Sequence, residues 1–286
     1  MSFRTVVIKD RAKLDLNLNY LVCRGVEEKK VYIPEISVLI LESTAISLTT
    51  ALVSELIKNK VKIIFCDERH NPESELSPYY GAHNSFGVLL KQMRWNEANK
   101  QKIWTYIIKN KMSKQRDFLV ELGFATEADM LTKYIDELQL NDCTNREGHS
   151  AKVYFNAIWG MDFSRRVEGY INSALNYGYS ILLSCFNRAI SSRGYLTQLG
   201  IWHKNEFNEF NLSCDLMEPF RVLIDKIVYF LDPNEKEYKR RVLDIFDLKL
   251  KIDGKEQFFE NAISIYVQSV IDAIENGDEK LIKIYE

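Results

Sequence analysis

In the stretch WHKNEFNEFNLSCDLMEPFR a histidine, His203, is followed by two acids three positions apart, Asp215 and Glu218. Histidine is scarce here, with four in 286 residues, so one that precedes a carboxylate pair invites a chemical reading. Carboxylates and an imidazole make a ligand set for a hard divalent cation such as Mg2+ or Mn2+, with water and phosphate oxygens completing the shell. Glu147, in NREGHSA, adds an acid at the start of a predicted helix. Bland roles compete at each position. Asp215 could cap the helix that follows it. Glu218 could be a solvent-facing acid near a positive helix end, and Glu147 a first-turn acid favoured by the same dipole. His203 could be an ordinary hydrogen-bonded imidazole. His149 competes as a ligand, but residues two apart do not share a helix face, so it points elsewhere if Glu147 faces inward. The sequence contains no G-x-S-x-G elbow, phosphate-binding loop, dinucleotide fingerprint or H-E-x-x-H pair. Nucleophilic catalysis by Ser or Cys therefore has no anchor.

The elements that must position these residues fall into two regions. Residues 1–80 read as β: RTVVIKD, EKKVYIPE, SVLILEST and KIIFCDE are short runs rich in Val and Ile. KLDLNLN alternates Leu14, Leu16 and Leu18 with polar residues, which predicts one buried face. LTTALVSELIKNK breaks the pattern with helical spacing, capped by Thr49 or Ser47. The segment at about 71–85, with two prolines and Gly81, is the expected linker. Residues 81–286 then follow a 3.6-residue period. They predict basic helices over 87–122, a helix at TEADMLTKYIDELQL, one beginning at Arg146, and a long buried one over Val167–Ile190. PFRVLIDKIVYFL and FENAISIYVQSVIDAI predict two more. Asp215 and Glu218 are then expected at or just before a helix start, because Pro219 biases Glu218 away from the α region. Gly178 inside the long helix predicts a close helix–helix contact. The fold class expected is α+β: a small β-rich N-terminal domain with one packed helix, then a larger all-α domain.

Composition is that of an ordinary globular chain, with 46% hydrophobic and 27% charged residues. No apolar run reaches the ~18 residues of a membrane helix, and MSFRTVVIKD lacks a signal-peptide core. A cytoplasmic location and no membrane partner are expected. Five isolated cysteines without a C-x-x-C pair read as small buried hydrophobes. The net charge of −2 gives no global pull toward nucleic acid, yet residues 91–117 carry eight basic side chains against two acids. That run reads either as a solvated helix face or as a track along phosphates. Its DNA-binding candidates are Lys91, Arg94, Lys102 and Lys109, joined by Arg146 beside Glu147.

Three segments in order, NREGHSAKVYFNAIWGMDFSR, INSALNYGYSILLS and LGIWHKNEFNEFNLSCDLMEPFRVLID, resemble the CRISPR-associated integrase family that captures new spacers, the larger of the two universal adaptation proteins. MEPFR and STAISLTTALVSELIKNKVKIIFCDE look like its type II-A branch. The resemblance spans nearly the whole chain. It implies a β-domain joined to a helical catalytic domain, and a Mg2+ or Mn2+ site on Glu147, His203 and Glu218. Asp215 matches a nearby acid that assists catalysis from a secondary position, and Pro219 stands where many relatives carry a second acid. The implied reaction is transesterification on DNA: the 3′-hydroxyl of a captured fragment attacks a phosphodiester at the repeat boundary, with endonuclease activity from the same centre. The implied partners are the captured fragment and the repeat and leader DNA, a second copy in a homodimer, and a small ferredoxin-like protein in a heterohexamer. The type II effector nuclease and a ring-shaped DNA-end-binding accessory extend that set. The competing reading is a non-catalytic DNA-binding scaffold of the same complex, with the acids in structural roles.

Overall fold

The structure is a computed structural model and describes residues 4–76, 84–232 and 238–286. The chain divides into two compact units, Met1–Gly81 and Ala82–Glu286. No helix among the described residues is long and apolar enough to cross a membrane.

The first unit holds two four-stranded sheets. In one, β1 (Arg4–Ile8), β5 (Ile36–Leu41) and β7 (Lys62–Cys66) pair in parallel, and β8 (Pro72–Glu75) adds an antiparallel edge. Every residue of β5 is buried, which is why its sequence ISVLIL is continuously apolar rather than alternating. In the other, β4 (Glu28–Tyr32), β3 (Tyr20–Arg24), β2 (Lys13–Asn17) and β6 (Ser47–Leu48) lie in that order. One core joins Leu14 and Leu21 of the second sheet to Ile36, Leu39 and Ile63 of the first, with Leu52 and Leu56 from helix α1 (Thr50–Lys58). Thr49 caps α1, its hydroxyl accepting from the Leu52 N–H at 3.4 Å. The expected Leu14–Leu16–Leu18 face holds for its first two members only. Leu18 is 84% exposed with φ of 54°, because Leu18-Asn19 is the two-residue turn that pairs Asn17 with Tyr20. The expected linker overlaps β8 at its start, and residues 77–83 lie outside the described residues.

The second unit contains helices α2 (Ser85–Met93), α3 (Glu97–Glu121), α4 (Ala125–Asp136), α5 (Arg146–Trp159), α6 (Tyr170–Ser191), α7 (Asn211–Met217), α8 (Arg221–Tyr229) and α9 (Tyr238–Leu243). It also carries a hairpin, β9 (Lys249–Ile252) with β10 (Lys255–Phe258), before α10 (Phe259–Asn276). An all-α reading leaves that hairpin out. Its turn is Asp253-Gly254, both at positive φ, 55° and 71°, the dipeptide that two-residue hairpins favour. α3 runs through the unit with Ile103, Trp104, Ile107, Ile108, Met112, Phe118 and Leu119 buried. α6 is buried along most of its length, and a Cβ at Gly178 would fall 2.4 Å from Ile224 Cγ2 of α8. The close contact expected there is present. No disulfide forms among the described residues; Cys66 and Cys185 are buried as expected, whereas Cys143 is exposed.

Candidate metal centre

The LGIWH segment is shaped by Asp215. This residue lies inside α7, so it does not cap the following helix. Its buried carboxylate turns back on the loop instead. Oδ2 accepts from the N–H groups of Ile201 at 2.7 Å and Trp202 at 2.9 Å, and Oδ1 from that of His203 at 3.2 Å. The same Oδ1 accepts a hydrogen bond from His203 Nδ1 at 2.5 Å. Gly200 makes the approach possible: a Cβ there would sit 2.8 Å from Asp215 Oδ2 and 2.5 Å from the His203 carbonyl oxygen. Trp104 of α3 stacks on Trp202 and meets the His203 ring edge-on, with centroids 5.6 and 5.8 Å apart. The imidazole is thereby fixed in one tautomer, with Nδ1 occupied and Nε2 left as the lone-pair nitrogen. A carboxylate behind a histidine is the usual way to orient a metal-binding imidazole. The Asp215 hydrogen bond also raises the His203 pKa, against the opposing effect of burial.

Glu218 opens a short 3-10 turn, Glu218–Phe220, between α7 and α8. Its backbone is α-like, with φ −51° and ψ −47°, and not displaced to the extended region as Pro219 leads one to expect. Pro219 falls in the first turn, where its missing N–H is not needed. The Glu218 carboxylate is buried between two cations. Arg221 Nε donates to Oε1 at 2.9 Å and Lys111 Nζ meets Oε2 at 2.6 Å. Burial alone would raise the Glu218 pKa; Arg221 and Lys111 overcome it and bring it down to about 2.

Glu147 reaches the same place from α5. The loop before it holds Asn141, Asp142 and Asn145 at positive φ (65°, 48° and 53°), a conformation that Asn and Asp tolerate better than other residues with a Cβ. Asp142 then accepts from the free N–H groups of Arg146 at 2.7 Å and Glu147 at 3.1 Å, fixing the start of α5. Glu147 Oε1 lies 2.5 Å from Lys111 Nζ. One ammonium is thus shared by Glu147 and Glu218. Burial disfavours its charge, but Glu218 and then Glu147 outweigh that and raise the Lys111 pKa. His149 is exposed and packs near the Tyr134 ring, away from this cluster.

The structure therefore brings Glu147 and Glu218 onto a single positive charge. His203 stands beside them, near enough for Glu218 to add to its raised pKa. Among the described residues, no three His, Cys, Asp or Glu side chains form a group placed to hold a metal ion. The donor chemistry still fits a hard divalent cation. Two carboxylates already surround one cation, the Lys111 ammonium, and Glu218 lies near enough to the anchored imidazole to raise its pKa. A cavity of about 620 Å3 between the ends of α5 and α6 is lined by Trp159, Phe163 and Tyr170 and by none of these residues.

The basic candidates divide. Lys91, Arg94 and Lys109 are exposed and have no ion pair among the described residues. Lys102 is paired with Glu279 at 2.5 Å, and Arg146 with Glu137 at 3.0 Å. Sequence reasoning misses three contributors. Lys111 reads as one more charge of a basic run. Arg221 carries the signal of standing three residues after Glu218. Asp142 sits in an Asn/Asp-rich stretch that marks a turn before a helix.

The family described as "CRISPR associated protein Cas1" matches residues 5–257. The chain is 32% identical over 232 residues to the CRISPR-associated endonuclease Cas1 of Neisseria meningitidis serogroup C (strain 8013), covering 81% of this chain and 76% of the relative. It is 27% identical over 262 residues to a CRISPR-associated endonuclease Cas1 of Francisella tularensis subsp. novicida (strain U112), covering 83% and 80%. Among solved structures, a casposase bound to integration product superposes with a TM-score of 0.78 at 20% identity, over 99% of this chain and 93% of that one. A Cas1 protein from Thermotoga maritima gives 0.76 at 15% identity, over 95% and 97%. The two superpositions speak for the fold alone. With a family match that runs through both units and a relative at 32% identity, the chain belongs to the Cas1 family of CRISPR-associated proteins.

Proposed function

We propose that this chain is a divalent-metal-dependent DNA integrase and endonuclease of CRISPR adaptation. It joins the 3′-hydroxyl of a captured DNA fragment to a phosphodiester at the repeat boundary by transesterification. The observation that carries the reading is the convergence of Glu147 and Glu218 on one positive charge beside the anchored imidazole of His203. Support also comes from the relatives named endonucleases and from the casposase fold seen with an integration product. Glu147, His203 and Glu218 would hold Mg2+ or Mn2+, which when bound polarises a phosphoryl oxygen and favours ionisation of the attacking hydroxyl. Asp215 does not touch substrate in this scheme. It orients His203 and fixes the 201–203 backbone. Arg221 holds one Glu218 oxygen while its guanidinium rests 4.7 Å from the Tyr179 ring centroid, so the carboxylate cannot turn away.

The partners follow from the same reading: the fragment and the repeat and leader DNA, a homodimer, the ferredoxin-like adaptation protein, and the accessory nuclease and ring protein of a type II-A system. The test is alanine replacement at Glu147, His203 or Glu218. Each variant is expected to keep DNA binding and to lose strand transfer by roughly a hundredfold or more, since each removes a group acting on the developing charge. Wild-type strand transfer in all three would leave the scaffold reading.

A further inference from the structure

Lys111 is the one charged group at the centre that the reading above does not use. Its side chain is 11% exposed on α3, and its Nζ lies 2.5 Å from Glu147 Oε1 and 2.6 Å from Glu218 Oε2. The two carboxylates come from different parts of the chain, and nothing in their own backbones draws them together. Like charges brought this close repel and disfavour each other's ionised form. The shared ammonium makes the pair tolerable. Arg221 Nε holds Glu218 Oε1 at 2.9 Å, while the buried Oε2 has no hydrogen bond and meets only the Lys111 ammonium. A divalent ion on Oε2 and on Glu147 would therefore stand beside the Lys111 ammonium, with like charges close together in a poorly solvated place. Arg221 touches only one of the two acids and is fixed over Tyr179, so it has no cause to move. The lysine stem is flexible and its head is a point charge without geometric demands.

From these contacts we infer that Lys111 is a built-in counter-cation that latches the ion-free centre, and that a divalent metal ion binds by displacing it from Glu147 and Glu218. The inference rests on the metal site proposed above. The ion-free protein then keeps its carboxylates gathered and ready. The ion's apparent affinity is lowered by the cost of breaking two ion pairs. Binding the metal also makes Lys111 accessible, since the contacts that cover it are the ones the ion takes over.

Two measurements on the full chain test this. The first uses Lys111→Met, which keeps length and removes charge, with Mn2+ as the probe in titration calorimetry and thermal melts. Without its cation the carboxylate pair is left uncompensated, so the variant should melt lower in chelator and recover in excess Mn2+. Its Mn2+ dissociation constant should be about tenfold tighter than that of the wild type, because no internal ion has to leave. The second needs no variant. Reductive dimethylation of the wild type, read by mass spectrometry, should label Lys111 slowly in chelator and several-fold faster in Mn2+, while Lys91 changes little. A wild type that binds Mn2+ through Glu147 yet protects Lys111 equally in both states overturns the exchange and leaves the metal site standing. So does a Lys111→Met variant, folded in Mn2+, whose affinity is unchanged or weaker. A wild type that takes up no Mn2+, or takes it up equally after Glu147→Ala, overturns the metal site and the exchange with it.

Discussion

Asp225 is a fully enclosed carboxylate whose two oxygens accept from tyrosine hydroxyls, Tyr154 at 3.1 Å and Tyr179 at 2.5 Å. Burial pushes its pKa up to about 6 from an ordinary 3.8, against the lowering by Tyr179, Tyr154 and Arg221. The folded state therefore holds this proton more tightly than the unfolded chain does. Its contribution to stability is complete below about pH 3.8 and is lost as pH rises through about 6. The full span is about 3 kcal/mol. Asp225→Asn carries no charge at any pH, so its stability measured against the wild type should improve steadily from about pH 4 to about pH 6.5 and level off above. Urea unfolding at several pH values checks this; parallel curves would show that Asp225 does not titrate in that window. Glu218 acts with the opposite sign. Its pKa of about 2 gives stability that is present above about 4.5 and lost in stronger acid, so the two effects oppose each other and overlap only between about 3.8 and 4.5. The candidate residues could be named from the sequence, since His203, Asp215 and Glu218 fall in one short stretch and the family resemblance adds Glu147. Their wiring could not be read there. Lys111 looks like any member of a basic run until the chain folds Glu147 and Glu218 onto it. Asp215 reads as a helix cap until its carboxylate is seen to hold three loop amides.

Helix α6 shows what one small residue does for an element. A Cβ at Gly178 would meet Ile224 Cγ2 at 2.4 Å, Ile224 Cδ1 at 3.1 Å and Val242 Cγ1 at 3.2 Å. Alanine is favoured over glycine in a helix by about 1 kcal/mol, yet overpacking a filled interface costs about 1–3 kcal/mol. Gly178→Ala should therefore destabilise. Ile224→Ala removes the clashing methyl, so the double variant should be less destabilised than the two single changes together, by about 1 kcal/mol or more. Strict additivity in urea unfolding would remove the packing explanation. Helices α2 and α3 carry the question of DNA. Four basic groups of the 91–117 run, Lys100, Lys102, Lys111 and Arg116, are spent on acids within the protein. Lys114 lies over the Tyr285 ring, 4.4 Å from its centroid; Lys91, Arg94 and Lys109 remain, and reversing all three to Glu should weaken DNA binding. The slope of log affinity against log salt should flatten by about one for each phosphate that is no longer neutralised. An unchanged slope would make these helices a solvated face. The long elements were legible from periodicity, since α3, α5, α6 and α10 bury broad apolar faces. Short ones were not. α7 is seven residues, Asn211–Met217, too short for a period to declare itself, and the β9–β10 hairpin hides between helices with only its Asp253-Gly254 turn to mark it.

At the scale of the whole chain, every member of the proposed centre lies in the second unit: Lys111, Glu147, His203, Asp215, Glu218 and Arg221, with Asp142, Trp104 and Tyr179 behind them. Leu14, Leu39 and Leu52 belong to a core confined to the first unit. Phe118, Leu131, Tyr154 and Val222 belong to one confined to the second. A unit of this size buries enough surface to fold without help, and all four tryptophans, at 95, 104, 159 and 202, are in it. Residues 82–286 expressed alone should therefore fold cooperatively. Their tryptophan-fluorescence unfolding curve should overlie that of the full chain, and their Mn2+ affinity should agree with it within about threefold. A truncated chain that stays unfolded, or whose midpoint falls well below that of the full chain, would mean that the second unit draws stability from the first. One that folds but no longer binds Mn2+ would mean that a group needed at the centre comes from residues 1–81.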